Sequence, residues 1–198
     1  MSGTTNRNIY LIKHSEPAVR PDVPAEEWTL SPRGIGEARG IAEAARGWGL
    51  RAVYSSFEPK ARATALIIAE PLELQVRVVE GFEELRLGQW IGNADDFNDL
   101  VRQILEAPSK PIAGAETAAA AGARFERAID VVLNAELPAA IVSHGRIMAA
   151  FLSLVLGEPD PFALWRSMPS AGVARFEVSG SAPKLATPFA DAAKPEAP

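Results

Sequence analysis

The chain has 198 residues, 47% of them hydrophobic, and a net charge of −5. That length suits one domain and that apolar share fills a core, which excludes a wholly disordered chain. The acidic balance argues against non-specific nucleic-acid binding, and with 0 cysteines there are neither disulfides nor thiolate metal sites. The N-terminal MSGTTNRN lacks the apolar segment of a signal peptide. No apolar run approaches the roughly 18 residues that span a bilayer, so a cytoplasmic protein without membrane contact is expected.

The pattern predicts a first buried strand over 8–13, NIYLIK, and a loop over 15–30 punctuated by Pro17, Pro21 and Pro24. Ser31-Pro32 reads as an N-cap with proline at the first helical position. The helix that follows runs to about Trp48, with Ile35, Ala38, Ala42 and Ala45 on its buried face, and Gly49 stops it. A second strand is expected over 52–55. Ser56 then caps a helix that buries Ala61, Ala65, Leu66 and Ala69. Residues 74–79 read as a third strand. The stretch 80–111 is less regular and holds a short helix near 95–107. A helix over 115–134, a fourth strand over 139–143 and an apolar, buried helix over 147–156 come next. Residues 161–167 form one more helical turn. The last strand, 172–178, alternates Ala174, Phe176 and Val178 with polar residues, as an edge strand does. From Gly180 the composition turns Ala- and Pro-rich, and 180–198 is expected to be a disordered tail. Strands alternating with helices predict one three-layer α/β/α domain over 1–179. Its sheet is expected to be doubly wound and mainly parallel, with one antiparallel edge strand.

Both histidines of the chain, His14 and His144, fall just past predicted buried strands. In a parallel sheet such positions face the crevice where ligands bind. Lys13 and Arg146 flank them, and Lys60 and Arg62 open a helix after a strand. Two imidazoles, several cations and a helix N-terminus suit a phosphate. Glu16, Glu83 and Glu84 are candidates for proton transfer, and spacing alone does not choose among them. The GIGEARG segment at 34–40 follows no strand, so it is not a dinucleotide loop. A metal site from His14, His144 and Glu84 ranks low, because the neighbouring cations would repel a divalent ion.

Over roughly 8–178 these residues resemble the histidine phosphatase superfamily, the phosphoglycerate mutase-like family. That family opens with a strand ending in Arg-His-Gly, where this chain has Lys13-His14-Ser15. Its Ser-Ser-Pro-Leu-x-Arg-Ala-x-x-Thr-Ala block is similar to the segment from Ser55 to Ala65, in which Lys60 stands in place of arginine. The family acid stands four residues before a glycine, which selects Glu84 ahead of Gly88, with Trp90 and Gly92 beyond. Gly114-Ala115-Glu116-Thr117 resembles its Gly-Gly-Glu-Ser, and Ser143-His144-Gly145 matches its late Ser-His-Gly. Both family arginines are lysine here, which keeps the charge but loses the planar fork.

The resemblance implies phosphoryl transfer to His14, with Glu84 as general acid and base and His144 as a third catalytic residue. It assigns the phosphate to Lys13, Lys60, Ser15 and Gly145, with Arg62 or Arg146 as a source of guanidinium. It implies no cofactor and no metal. The expected partner is a small phosphorylated substrate, with the chain a monomer or homodimer. Substrate choice is expected in the loops 17–30 and 85–113, the second acting as a lid. About two dozen residues separate Gly92 from Gly114, which is short for the cap of a mutase, so a phosphomonoester hydrolase is preferred. The alternatives are a catalytically weakened phospho-ligand binding protein and, further down, a phosphoglycerate mutase.

Overall fold

The structure is a computed structural model, and it describes residues 7–89, 91–179 and 182–192. Trp90 lies outside the described residues. Among the described residues six strands form one sheet: β1 (Asn8–Lys13), β2 (Ala52–Ser55), β3 (Val76–Val78), β4 (Ala139–Ser143), β5 (Gly172–Ser179) and β6 (Ala182–Asp191). Their order is β3-β2-β4-β1-β5-β6. The first four run parallel, β5 is antiparallel to β1, and β6 is antiparallel to β5.

The helices are α1 (Pro32–Ala45), α2 (Pro59–Ala69), α3 (Ala94–Glu106), α4 (Ala118–Leu133), α5 (Gly145–Leu156) and α6 (Pro161–Ser167). Because side chains alternate across a strand, each strand feeds two cores. Tyr10, Ile12, Val53, Ala140 and Val142 pack against α1 and α2 on one face. Ile9, Leu11, Tyr54, Ile141 and Phe176 meet α3, α4 and α5 on the other. The three-layer architecture follows, and β1 and β4 sit at its centre, covered on both sides.

Several local expectations shift. The buried line of α1 is Gly34, Ala38, Ile41, Ala42 and Ala45, and Ile35 is exposed. The rotation is set by Gly34, which abuts the Glu16 carbonyl so closely that a Cβ would lie 2.1 Å from its oxygen. On α2 the buried residues include Thr64 and Ile68, and Leu66 is exposed, since 100° per residue carries position 66 away from the line through 61, 65 and 68. Helix α2 begins at Pro59 with Glu58, not Ser56, at its N-cap. Helix α5 is buried through Leu152, but Leu154 and Val155 reach the surface. The third strand is only three residues long.

The expectation of a disordered tail from residue 180 is overturned for 182–191. That segment is β6, paired with β5 from Gly172↔Asp191 to Ser179↔Ala182. An unpaired β5 edge would leave a row of main-chain donors and acceptors, and β6 satisfies them. Proline is tolerated in β6 because it is the outermost strand. The domain therefore extends past residue 179, and β6 takes the edge expected of β5.

Candidate active site

Two neighbouring parallel strands end level with one another. Lys13 pairs with Ser143 at the last register position of β1 and β4. The next residue on each strand is a histidine, and the His14 main-chain N–H donates to the Ser143 carbonyl at 2.9 Å. The rings consequently face each other edge to face, with centroids 5.1 Å apart.

His14 Nδ1–H donates to the Ser15 carbonyl at 2.8 Å, which leaves the lone pair on Nε2. Burial lowers its pKa from the usual 6.5 to about 3, against the Ser15 carbonyl and with help from Lys60, Lys13 and Arg146. At neutral pH the ring is uncharged, and part of it stays accessible. His144 is fully buried. Its Nε2 lies 2.8 Å from Ser56 Oγ and 3.5 Å from Glu58 Oε1. Its Nδ1 is buried without a partner. Burial holds its pKa well below the usual value, helped by His14 and Lys60.

Cations gather round this pair. Lys13 Nζ donates to the Met168 carbonyl at 3.0 Å. Burial lowers its pKa, with Glu84 opposing. Lys60, near the start of α2 and 6% exposed, donates to the Ala25 carbonyl at 2.7 Å and to Glu58 Oε2 at 2.5 Å. Arg146, in the first turn of α5, donates to the Leu85 carbonyl at 3.2 Å and stands 3.6 Å from Glu84 Oε2. Arg62 is exposed on α2, and among the described residues its side chain makes no hydrogen bond or ion pair with the site. Ser15 is buried, its N–H donating to Thr64 Oγ1 and its own hydroxyl unpartnered. Gly145 opens α5 where a Cβ would meet the Trp165 ring at 3.1 Å and Lys13 Cε at 3.5 Å.

The three acids part company. Glu84 Oε1 accepts from the N–H groups of Leu85 at 2.8 Å and Ile147 at 2.9 Å, and Oε2 from Arg146 N–H at 3.4 Å. It thus joins the loop after β3 to the N-terminus of α5. Glu83 turns away to Gly81 N–H and Arg124. Glu16 joins the cap of α1, accepting from Ser31 Oγ at 2.8 Å.

A family model described as histidine phosphatase superfamily (branch 1) matches residues 9–190. The chain belongs to the histidine phosphatase superfamily. Solved structures with the same fold include a mycobacterial glucosyl-3-phosphoglycerate phosphatase in complex with inorganic phosphate (21% identity, TM-score 0.77, covering 96% of this chain and 100% of that one). Another is Bacillus stearothermophilus YhfR (20% identity, TM-score 0.77, 94% and 99% covered). A third is a phosphoserine phosphatase mutant from Entamoeba histolytica in complex with phosphoserine (20% identity, TM-score 0.72, 93% and 97% covered). At such identities the likeness is one of fold. No curated protein matches the chain.

In this histidine phosphatase superfamily member, Arg124 of α4 braces the site from behind. It donates to the carbonyls of Gly81 at 3.0 Å and Glu83 at 2.9 Å, and grips Glu116 through two bonds of 3.0 and 2.8 Å. Burial of Glu116 favours its neutral form, but the Arg124 hydrogen bonds and charge outweigh this and lower its pKa. Among the described residues no group of three or more His, Asp or Glu side chains is placed to hold a metal ion. No helix of the described residues is long and apolar enough to cross a membrane.

Sequence reasoning missed the burial and the partners of Glu58 and Arg124. Glu58 is 4% exposed between Lys60 and His144, and burial raises its pKa while Lys60 opposes. In sequence a Glu-Pro-Lys triplet looks like a solvated turn, and nothing local marks it as buried. Arg124 carries no signal either, because its partners lie 8 to 43 residues away.

Proposed function

We propose that the protein is a phosphomonoester hydrolase that works through a phosphohistidine on His14. The observation that carries this reading is the tautomer of His14: its Nδ1–H is tied to the Ser15 carbonyl, and Nε2 is left as a neutral nucleophile beside a second imidazole and several cations. In the first step Nε2 bonds to phosphorus as the ester P–O bond breaks. Glu84 gives its proton to the leaving oxygen. In the second step water attacks the phosphohistidine, Glu84 takes a proton from that water, and inorganic phosphate leaves with His14 restored. Lys13, Lys60 and His144 hold the non-bridging oxygens and stabilise the charge of the transition state. Ser15, Gly145 and Arg146 line the same space. The order of transfers balances without a metal or a cofactor. Family membership supports phosphoryl chemistry. The glucosyl-3-phosphoglycerate and phosphoserine phosphatases of the same fold support a small phosphorylated substrate.

One observation favours a second reading, phospho-ligand binding without turnover. Two of the three N–H donors of Lys60 already face Glu58 and Ala25. Turnover separates the two. Incubation with a 32P-labelled aryl phosphate should give an acid-labile phosphoenzyme in wild type and none in His14→Ala, with hydrolysis lost in the variant and unchanged by dialysis against a chelator. Normal hydrolysis by His14→Ala would refute the phosphohistidine. Phosphate binding without hydrolysis would select the second reading.

A further inference from the structure

One buried charge is not used by this mechanism. Glu58 precedes α2, and its carboxylate touches the site from three directions. Oε2 accepts from Lys60 Nζ at 2.5 Å, and Oε1 accepts from the Glu84 N–H at 2.7 Å. The same Oε1 stands 3.5 Å from His144 Nε2. Ser56 Oγ closes the circle, accepting from the Glu58 N–H at 3.1 Å while it contacts His144 Nε2. The β2–α2 turn, the loop after β3 and the end of β4 therefore converge on one carboxylate.

Resting on the phosphatase reading, we propose that Glu58 is the positioning residue of the phosphate site, holding Lys60 and His144 together so that a lysine can serve at position 60. A buried carboxylate carries a desolvation cost, and a leucine of similar volume would avoid it. The residue therefore needs a role beyond filling space. An ammonium has three donors and no preferred plane, so it must be aimed. Glu58 and the Ala25 carbonyl fix two of those donors, and the third is left for a phosphate oxygen. His144 is aimed through Ser56, whose Oγ accepts from the Glu58 N–H and donates to Nε2, so the unpartnered Nδ1 keeps its hydrogen as a donor for phosphate. An arginine at position 60 would need no such aiming, because its fork is planar and fixed. Its longer head would collide with the acceptors that already lie at 2.5 and 2.7 Å from Nζ. Glu58 and Lys60 are thus one unit, standing where the resembling block has leucine and arginine.

The test is a double-mutant cycle on the full chain: Glu58→Leu, Lys60→Arg and the two combined. It is read in kcat and KM for 4-nitrophenyl phosphate and in calorimetric affinity for inorganic phosphate. Each single variant should lose roughly 10²-fold in kcat, the size of one lost transition-state donor. The combined variant should return to within about tenfold of wild type, because contacting residues couple. A carboxylate with only a packing role would give no such rescue. Glu58→Gln keeps the shape and should still cost about tenfold in kcat, so the idea stays testable if Glu58→Leu does not fold. The proposal falls if the combined variant is no better than the worse single one, or if Glu58→Gln matches wild type. If wild type binds phosphate without hydrolysing it, the phosphatase reading fails alone, and the cycle in phosphate affinity decides Glu58. If wild type binds no phosphate, both fall.

Discussion

Arg124 touches neither histidine, yet its removal should damage both stability and activity. The side chain is 13% exposed, and its partners Glu83 and Glu116 are each 11% exposed, so the cluster is largely shielded from water. Arg124→Ala leaves Glu116 without its bidentate partner and strips donors from the carbonyls of Gly81, Glu83 and Glu84. Removing one member of a buried pair costs about 3–5 kcal/mol when the other charge is left unpaired, and because Arg86 stays 3.7 Å from Glu116 and its N–H still donates to that carboxylate, the lower end of about 3 kcal/mol applies. For a chain of 150–250 residues each kcal/mol moves Tm by about 2–4 °C, so a fall of roughly 6–12 °C is expected. The loop that carries Glu84 then loses its rear support, and kcat should drop by about tenfold or more, on the scale of a displaced catalytic group. Differential scanning calorimetry and steady-state hydrolysis of 4-nitrophenyl phosphate measure the two effects. The sharper comparison adds Glu116→Gln. With the Glu116 charge removed as well, the double variant should be no less stable than Arg124→Ala alone. A Tm within about 2 °C of wild type for Arg124→Ala, or simple additivity with Glu116→Gln, would refute the bracing role.

The other expectations concern pH and packing. His14 has its folded pKa lowered to about 3 from the usual 6.5, and His144 is lowered too, so the unfolded chain binds more protons below 6.5. Stability should therefore fall as pH drops from about 6.5 toward 3, and denaturant melts of His14→Ala across that window should show a shallower fall. An equally steep fall in the variant would remove His14 from the account. Glu116, with a lowered pKa, contributes in the same direction at more acid pH: its stabilisation is present above the unfolded carboxyl value and is lost as pH falls through the folded one. Gly34→Ala would drive a Cβ into the Glu16 carbonyl oxygen at 2.1 Å, two residues after His14. Because the obstacle is backbone, the change should cost about 1–3 kcal/mol in urea unfolding and lower activity as well, and a neutral result would mean that α1 shifts freely.

The amino-acid sequence by itself determined the α/β layers and the strands that bring the two histidines together. Continuous apolar runs marked β1 and β4 as buried, and the two histidines just past them meet because the paired parallel strands end level with one another. Ser31 as the cap of α1 was likewise legible, since it depends on neighbours three residues apart. Tertiary structure decided what local pattern leaves open. Leu66 and Ile68 are both apolar residues on one helix, and only the orientation of α2 on the sheet buries one and exposes the other. The segment 182–191 looks like a tail until the open edge of β5 gives its backbone a partner. Glu83, Glu84 and Glu16 are equivalent as letters, and they diverge because Arg124, the N-terminus of α5 and the cap of α1 each claim one. Arg62 and Lys60 lie two residues apart, and the turn of α2 sends one to solvent and buries the other against Glu58. Charged side chains reveal little in sequence because their energy depends on burial and on partners remote along the chain, and both are set by packing.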